Sequence, residues 1–377
     1  MVNGILVAGL GALGTALVQQ LALAPGVNKI VAADIDEKRG KEIVDNTIYG
    51  AATSGVYPDI QFVGIDLFDV DGATNLLKQI EPALICNCTT LASWWFPHLL
   101  PIEIGKKVLE AGFGPWIPCH LTLAYKLMQA VKKSGLDVPV VNASYNDAVA
   151  PILSKVGLTP TVGAGNIDLL IPRIKKVVSE KLKVPMREVT VLLVAHHAVI
   201  TTAGEAPFWY KILVRDKNVT DRFAVEEIRG AIPRHYRLEE RWVEAPLQYH
   251  IAASFLRNIL AVYFDTNELS HAPGPLGLPG GFPVRISSKG PEIVLPEELS
   301  LNDAVKLNEE AARFDGVEKI EDDGTLVITD RAAEVVRDAL GFDHKRFRLA
   351  ECAEKAKELV SLYRETLRKY RIRVPYE

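Results

Sequence analysis

Residues 5–14 read ILVAGLGALG, an apolar stretch that runs into Gly9, Gly11 and Gly14. Glycines at this spacing, after a strand and before a helix, form the dinucleotide-binding fingerprint. The first glycine permits a tight turn, the second lets the backbone approach a pyrophosphate, and the third lets the helix lie close on the strand. The helix is predicted to begin near Ala12, with its N-terminal amides directed at the phosphates.

The second strand ends in the acidic residue that this fingerprint requires. The stretch KIVAAD closes on Asp34, about twenty residues after Gly14. A carboxylate here can accept hydrogen bonds from a ribose 2′-OH and repels a 2′-phosphate, so NAD is favoured over NADP. Lys38 and Arg39 follow closely and could meet a 2′-phosphate, which weakens the preference. The residues predicted from this half of the chain to contact the cofactor are Gly9, Gly11, Ala12, Leu13, Gly14, Asp34, Ile35, Asn87, Cys88 and Thr89.

The composition is that of a protein that acts on small molecules. The chain has 377 residues, enough for two domains, with 43 basic and 47 acidic residues and no long run of either sign. This balance gives no electrostatic reason to expect a nucleic acid or a membrane surface as partner. No apolar stretch approaches the length of a bilayer span and the fingerprint strand begins close to Met1, so we expect a cytoplasmic protein. Cys86 and Cys88 lie in an apolar stretch and are interpreted as buried thiols, and no metal site is expected.

Short apolar stretches alternate with amphipathic ones through the first half of the chain. This alternation predicts a parallel sheet with helices on both faces. The stretch VPVVNAS would complete the sheet, so we expect a dinucleotide-binding domain over residues 1–148. Residues 149–377 would then form a substrate-binding domain with a C-terminal extension. The fold class predicted for the whole chain is α/β.

The second half of the chain offers a pair of residues suited to proton transfer. Asp168 precedes a predicted helix over 170–182, and a predicted strand over 188–194 delivers His196 and His197 at its end. Oxidation of an alcohol requires removal of the hydroxyl proton, and a neutral imidazole held by a carboxylate does this near pH 7. Asp168 and His197 are candidates for this pair. The alternative is that Asp168 only caps the helix and His197 is only a surface residue.

Further elements follow along the chain. Helices are predicted over residues 224–231 and 246–263, and a charged helix over 349–370. Between them, HAPGPLGLPGG is interpreted as a loop, and hairpin turns are predicted at Lys289-Gly290 and Asp323-Gly324.

These stretches resemble the lactate/malate dehydrogenase superfamily. The segment from Asn166 to His197 is similar, without a gap, to the family's segment that runs from its active-site aspartate to its catalytic histidine. The resemblance implies that His197 accepts the substrate proton, that Asp168 holds His197, and that Asn142 contacts the substrate hydroxyl and the nicotinamide ribose. It covers roughly residues 3–310 and implies a Rossmann-type doubly wound parallel sheet with an α+β lactate/malate dehydrogenase-like C-terminal domain. It also implies a homo-oligomer, either a dimer or a tetramer.

The departures from the family concern the substrate. The family binds its substrate carboxylate with an arginine three residues after the aspartate, but this position is Ile171. Arg173 lies two residues further along, and the family's arginine-bearing loop is here the aromatic stretch NCTTLASWWFPHLLP. Those aromatic residues either pack between domains or cover an apolar substrate. The residues predicted to contact the substrate are Asn142, Trp94, Arg173, Trp209 and His250.

The favoured function is therefore an NAD(P)-dependent dehydrogenase that acts on a CH–OH group, with a substrate that is not a simple 2-hydroxy acid. One alternative is an NAD-dependent glycosidase, whose family holds a metal with a cysteine and a histidine of the second domain. No cysteine lies between Cys119 and Cys352, which disfavours it. A second alternative is an opine- or saccharopine-type amino acid dehydrogenase, and a third is a cofactor-binding regulator without chemistry.

Overall fold

The first half of the chain forms a parallel sheet covered by helices. The structure, a computed structural model, describes residues 3–202, 204–232 and 246–372. The strands of this sheet are β1 (Ile5–Ala8), β2 (Lys29–Asp34), β3 (Asp59–Gly64), β4 (Leu84–Asn87), β5 (Val140–Asn142) and β6 (Val162–Gly163). Their order is β3-β2-β1-β4-β5-β6 and every neighbouring pair is parallel. The predicted Rossmann-type sheet is confirmed.

Helices connect these strands and cover both faces. They are α1 (Ala12–Ala22), α2 (Glu37–Thr53), α3 (Val70–Ile80), α4 (Ile102–Glu110), α5 (Ile117–Ser134) and α6 (Asn146–Ser154). The central strand β1 is completely buried because its residues alternate between two apolar clusters, one on each face of the sheet. The predicted domain boundary at residue 148 falls before β6, so the sheet continues beyond it. The division into two domains stays a prediction.

The second half is built around an antiparallel sheet. Its elements are α7 (Ile171–Leu182), β7 (Val189–Ala195), α8 (Ala198–Thr201), β8 (Phe208–Val214), β9 (Lys217–Asn218), α9 (Val225–Gly230), α10 (Pro246–Tyr263), β10 (Glu268–Pro273), β11 (Gly281–Ser287) and β12 (Gly290–Ile293). The strand order is β10-β11-β7-β8-β9, and β12 pairs with β11. The predicted helices over 224–231 and 246–263 and the hairpin at Lys289-Gly290 are confirmed. The loop predicted to begin at His271 begins only at Gly274, since His271 pairs with Pro283 in the ladder of β10 and β11.

The C-terminal segment packs on both halves of the chain, its first helix on the antiparallel sheet and its last two helices on helices of the first half. It comprises α11 (Leu301–Phe314), β13 (Val317–Ile320), β14 (Leu326–Ile328), α12 (Asp330–Leu340), β15 (Arg346–Phe347) and α13 (Cys352–Lys369). The strands β13, β14 and β15 form a small antiparallel sheet. From α13, buried Tyr363 stacks on Phe96 with ring centroids 4.8 Å apart and donates a hydrogen bond of 2.9 Å to the Phe96 carbonyl. The C-terminal segment is therefore part of the main core and not an appendage.

Within the described ranges, no helix combines the length and the apolar character that a bilayer crossing requires.

A buried histidine of the antiparallel sheet makes the free energy of unfolding depend on pH. His271 is 2% exposed, and its Nε2 lies 3.0 Å from the Leu193 carbonyl oxygen. Burial lowers the pKa of His271 to about 4. Because this value lies below the unfolded pKa of about 6.5, the stabilisation is complete above pH 6.5 and is lost as pH falls towards 4.

We expect His271→Gln to reduce the dependence of unfolding free energy on pH. Glutamine can keep a donor to the Leu193 carbonyl but cannot take up a proton. The difference in unfolding free energy between pH 7 and pH 4 should shrink by as much as about 3 kcal/mol. Urea unfolding followed by circular dichroism at a series of pH values measures this difference. Parallel curves for the wild type and the variant would contradict it.

Candidate functional site

The fingerprint turn has the conformation that its glycines predict. Gly9 has φ of 92°, a backbone conformation that residues other than glycine rarely adopt. A Cβ on Gly14 would overlap the Gly9 carbonyl oxygen, so the third glycine is required for α1 to lie against β1. Gly11 is the N-cap of α1, where no side chain among the described residues caps the helix and no acidic residue stands in the first turn. The first amides of α1 therefore remain available to an anionic ligand.

Asp34, at the end of β2, stabilises this turn through hydrogen bonds. Its Oδ2 accepts a hydrogen bond of 2.5 Å from the Leu10 amide, and its Oδ1 accepts one of 3.0 Å from the Asp36 amide. The Nη2 atom of Arg39 lies 3.6 Å from Asp34 Oδ2. A carboxylate thus stands beside the glycine turn, with a cation close to it. Ile35, the next residue along, is largely exposed.

The ends of β4 and β5 are held together by amide side chains. Asn87 Nδ2 donates a hydrogen bond of 2.8 Å to Asn142 Oδ1, while the Thr89 amide and hydroxyl both donate to Asn87 Oδ1. Asn142 Nδ2 in turn donates to Asn146 at 2.5 Å. Asn142 is completely buried and does not appear among the described residues that line the cleft. The expectation that Asn142 contacts the substrate is corrected accordingly, because its amide is used to join the two loops.

A cleft of about 210 Å³ connects the fingerprint turn with His197. Gly11, Ala12 and Leu13 line one part of it, and His197 with Tyr145 lines another. Its walls are largely aromatic and aliphatic, with contributions from Trp94, Trp95, Phe113, Leu169, Leu170, Ile200, Ile251 and Phe255. Cys88, Thr90, Ala143 and Ser144 lie in the cleft wall just after the carboxyl ends of β4 and β5. This is the edge of a parallel sheet at which ligands bind in doubly wound folds.

Three of the predicted substrate residues, Trp94, Arg173 and His250, line this cleft. Burial lowers the pKa of His250, and the nearby charge of Arg173 lowers it further. Trp209 is placed elsewhere: it lies on β8 opposite Val194 and packs against the apolar cluster around β11. The prediction that Trp209 contacts the substrate is therefore not matched by its position, because the half-buried ring packs on this cluster and does not line the cleft.

His197 is held by two carboxylates that the sequence did not predict. Its backbone amide donates a hydrogen bond of 2.9 Å to Asp147 Oδ1, and its ring Nδ1 lies 2.9 Å from Asp315 Oδ2. Asp168, the predicted partner, instead accepts a hydrogen bond of 2.6 Å from Ser254 and one of 2.5 Å from Arg257. The predicted Asp168–His197 pair is wrong because α10 presents its own donors to Asp168.

Asp315 is completely buried, and both of its carboxylate oxygens are occupied. Oδ2 accepts hydrogen bonds from His197 and from the Tyr145 hydroxyl. Oδ1 accepts one of 3.1 Å from the Phe113 amide and one of 3.2 Å from Thr201. Burial alone would raise the pKa of Asp315, but the charge and hydrogen bond of His197 outweigh it and lower this pKa to about 2. Asp315 is therefore a carboxylate at neutral pH.

The histidines of the cleft differ in their protonation. Burial by itself lowers the pKa of His197, but the charge and hydrogen bond of Asp315, together with the charge of Asp147, raise it above the ordinary value. His120 also lines the cleft, and burial together with the charge of His197 lowers its pKa to about 4. The carboxylates thus favour the protonated form of the His197 ring, whereas His120 is neutral near pH 7.

Two residues of the cleft adopt a strained backbone conformation. Tyr145 has φ of 42° and Asn166 has φ of 53°, both in the left-handed region that non-glycine residues seldom occupy. Tyr145 donates to Asp315, and Asn166 donates to Asp147. Such strain persists only where the surroundings enforce it, and it is concentrated at functional sites.

Sequence reasoning missed Asp147, Tyr145, His120 and Asp315. Tyr145 and Asp147 follow Asn142 so closely that the predicted end of β5 could have indicated them. Asp315 stands before Gly316 at the end of a helix, where an aspartate signals a turn and nothing more. Among the described residues, no group of three or more His, Cys, Asp or Glu side chains is arranged to hold a metal ion.

Comparisons with known proteins find similarity in structure only. No family model and no curated protein matches the sequence. Malate dehydrogenase from Cryptosporidium parvum is similar with a TM-score of 0.58 at 14% identity, over 83% of this chain and 97% of that one. Lactate dehydrogenase from Eimeria maxima, solved with NADH and oxamate, is similar with a TM-score of 0.59 at 12% identity, over 83% and 91% of the two chains.

Lactate dehydrogenase from Cryptosporidium parvum, solved with lactic acid and the nicotinamide dinucleotide, has a TM-score of 0.55 at 15% identity, over 83% of this chain and 95% of that one. At such identities the similarity concerns the fold. The chain therefore has the fold of the lactate and malate dehydrogenases.

Proposed function

We propose that this protein is an NAD-dependent dehydrogenase that acts on a CH–OH group. One observation carries the proposal: a single cleft joins the N-terminus of α1, which no described side chain caps, to a histidine whose ring is held by a buried carboxylate. An anion-binding helix terminus and a proton acceptor in one cavity are the two elements that hydride transfer from an alcohol requires. Similar folds solved with NADH and oxamate, or with lactic acid and the dinucleotide, support it.

The residues of the first half fit the cofactor. A Cβ on Gly11 would meet no protein atom, so the backbone at this position is open to a pyrophosphate. The amides of Ala12 and Leu13 would bind the phosphates, and Asp34 would accept hydrogen bonds from the adenosine ribose. When bound, NAD supplies a nicotinamide ring that takes up hydride.

His197 would act as the proton acceptor. Its Nδ1–H donates to Asp315, so Nε2 is the basic nitrogen of the neutral ring. In alcohol oxidation the substrate O–H bond would break and its proton would pass to Nε2, while the substrate, on losing hydride from its C–H bond, would become a carbonyl compound. In the reverse direction, protonated His197 returns the proton to the carbonyl oxygen.

We propose that the substrate carries an apolar group and is not a simple 2-hydroxy acid, although Arg173 places a cation in the cleft. Ile171 is 6% exposed and packs in the core around β7, so no cation stands at that position. A smaller side cavity of about 50 Å³ opens beside the cleft and shares Trp94 and His120 with it. Its other walls include Val108 and Leu109. A short branched aliphatic group fits such a space.

We further propose that residues 1–148 bind the cofactor and residues 149–377 supply the catalytic histidine. The proposal extends to a cytoplasmic homo-oligomer, either a dimer or a tetramer, with NAD preferred over NADP.

We expect His197→Asn to lower kcat for alcohol oxidation by about 10²- to 10⁴-fold, because asparagine can still donate to Asp315 but offers no basic nitrogen. The Kd for NADH should change less than about threefold. A panel of secondary alcohols and 2-hydroxy acids, followed by absorbance of NADH, measures turnover. His344→Asn, which alters a histidine paired with Glu358 away from the cleft, is the control. Unchanged turnover in His197→Asn would exclude the proposed base.

The cofactor preference is tested at Asp34. We expect NADH to bind more tightly than NADPH, and Asp34→Ala to narrow the ratio of the two Kd values by about tenfold, since the repelling charge is lost. Quenching of tryptophan fluorescence measures both constants, and Glu37→Ala removes a nearby exposed carboxylate as control. Tighter binding of NADPH by the wild type would contradict the preference.

The side cavity is tested by filling it. We expect Leu109→Trp to lower kcat/KM for alcohols with a branched aliphatic group by about tenfold or more, while small alcohols change less than about twofold. Leu109→Met, which preserves the volume, is the matched control. An equal loss for all alcohols, large and small, would show that the cavity takes no part in substrate binding.

A further inference from the structure

We infer that Asp315 is the positioning carboxylate of His197, so that the C-terminal segment after residue 310 completes the catalytic centre. The catalytic role in this inference rests on the proposed function. The contact between the side chains of Asp315 and His197 is independent of that function. Resemblance to the dehydrogenases assigned the role to Asp168 and ended before Asp315.

The position of Asp315 is determined by its main chain. Its carbonyl oxygen accepts a hydrogen bond of 2.8 Å from the Gly114 amide, and a Cβ on Gly114 would lie 2.5 Å from the Gly316 carbonyl oxygen. Gly316 itself has φ of 80° and accepts a hydrogen bond of 2.9 Å from the Thr329 amide. The segment from 315 to 316 is therefore held between the loop after α4 and the strand β14, with no space for side chains between them.

The hydrogen bonds of Asp315 determine what it can do to His197. Its oxygens accept from Phe113 and Thr201 on one side and from Tyr145 and His197 on the other. As a carboxylate it can only accept, so the ring nitrogen that faces it must carry the proton. Asp315 thereby selects the tautomer whose basic nitrogen is Nε2, and it stabilises the imidazolium that forms when the substrate proton is taken up.

Other groups also surround His197. Asp147 accepts a hydrogen bond from its backbone amide and contributes negative charge that raises its pKa, while the charge of His197 lowers the pKa values of the neighbouring His196 and His120. The rings of Phe113 and Tyr145 pack edge-on to it, with centroids 4.9 and 5.2 Å away. The carboxylate of Asp315 lies within hydrogen-bond distance of the ring itself, with Oδ2 2.9 Å from Nδ1.

Asp168 provides a matched comparison. It is buried like Asp315, but its carboxylate ties α10 to the start of α7 through Ser254 and Arg257. Both aspartates can be changed to asparagine with no change in size. Only the change at residue 315 places an amide donor against Nδ1, which would favour the other tautomer.

The test compares Asp315→Asn with Asp168→Asn in the full chain. For Asp315→Asn we expect kcat to fall by about 10²- to 10⁴-fold with the Kd for NADH changed less than about threefold. The acid limb of the pH profile of kcat/KM for oxidation should move to lower pH, because His197 loses the charge that raises its pKa. For Asp168→Asn the acid limb should stay within about 0.3 pH units of the wild type.

Titration of His197 by NMR, with labelled histidine and the His197→Asn variant for assignment, provides a readout that needs no substrate. We expect the titration of His197 to move to lower pH in Asp315→Asn and to stay in place in Asp168→Asn. If the wild type oxidises no alcohol, the proposed function is wrong. The titration of His197 still tests whether Asp315 is its positioning carboxylate. A titration shifted by Asp168→Asn and unmoved by Asp315→Asn would overturn it.

Tyr145→Phe provides a second test of the inference if the Asp315→Asn variant does not fold. This change removes one donor from Asp315 Oδ2 and leaves the carboxylate with His197. The carboxylate then interacts more strongly with the imidazolium, so the titration of His197 should move to higher pH, opposite to the effect of Asp315→Asn. An unmoved or lowered titration in Tyr145→Phe would also count against the inference.

Discussion

The arrangement of the site depends on one buried ionic hydrogen bond, between Asp315 and His197. A carboxylate removed from water is costly unless every oxygen is paired, and here four donors from three separate places in the chain pair it. Removing one partner of such a buried pair typically costs about 3–5 kcal/mol, because the other charge is left uncompensated. The Asp315 side chain therefore joins four segments: the end of α11, to which it belongs, the loop after α4, the start of α6 and the end of β7.

The two halves of the cleft follow different physical rules. On the side of the glycine turn, backbone geometry dominates: glycines bring α1 against β1, and the helix presents amides that no side chain in the described ranges caps. On the side of His197, charge dominates, since Asp147 and Asp315 raise the pKa of one histidine while burial lowers that of His120. The side of the glycine turn thus offers neutral amides whose charge does not change with pH, whereas the charge on the side of His197 depends on how its carboxylates and burial affect each histidine.

Sequence reasoning succeeded where the determinants are local. The fingerprint, the parallel sheet and the strand that ends at His197 depend on neighbouring residues and were predicted correctly. Reasoning by similarity assigned Asp168 to His197, but the side chains of Ser254 and Arg257 occupy Asp168, and no short-range pattern indicates this. Asn142 and Trp209 were likewise assigned from position along the chain, while their contacts with neighbouring loops and strands direct them away from the cleft.

Packing of the C-terminal segment has a consequence for how the protein folds. The hydrogen bonds from Tyr145 and Phe113 to Asp315 join residues 170 and 202 positions apart, and that from Tyr363 to Phe96 spans 267. Contacts of such separation form late, because closing long loops costs chain entropy before any contact compensates for it. Asp315 follows His197 by 118 residues, so the histidine acquires its carboxylate partner only late in synthesis, when most of the chain has already been made.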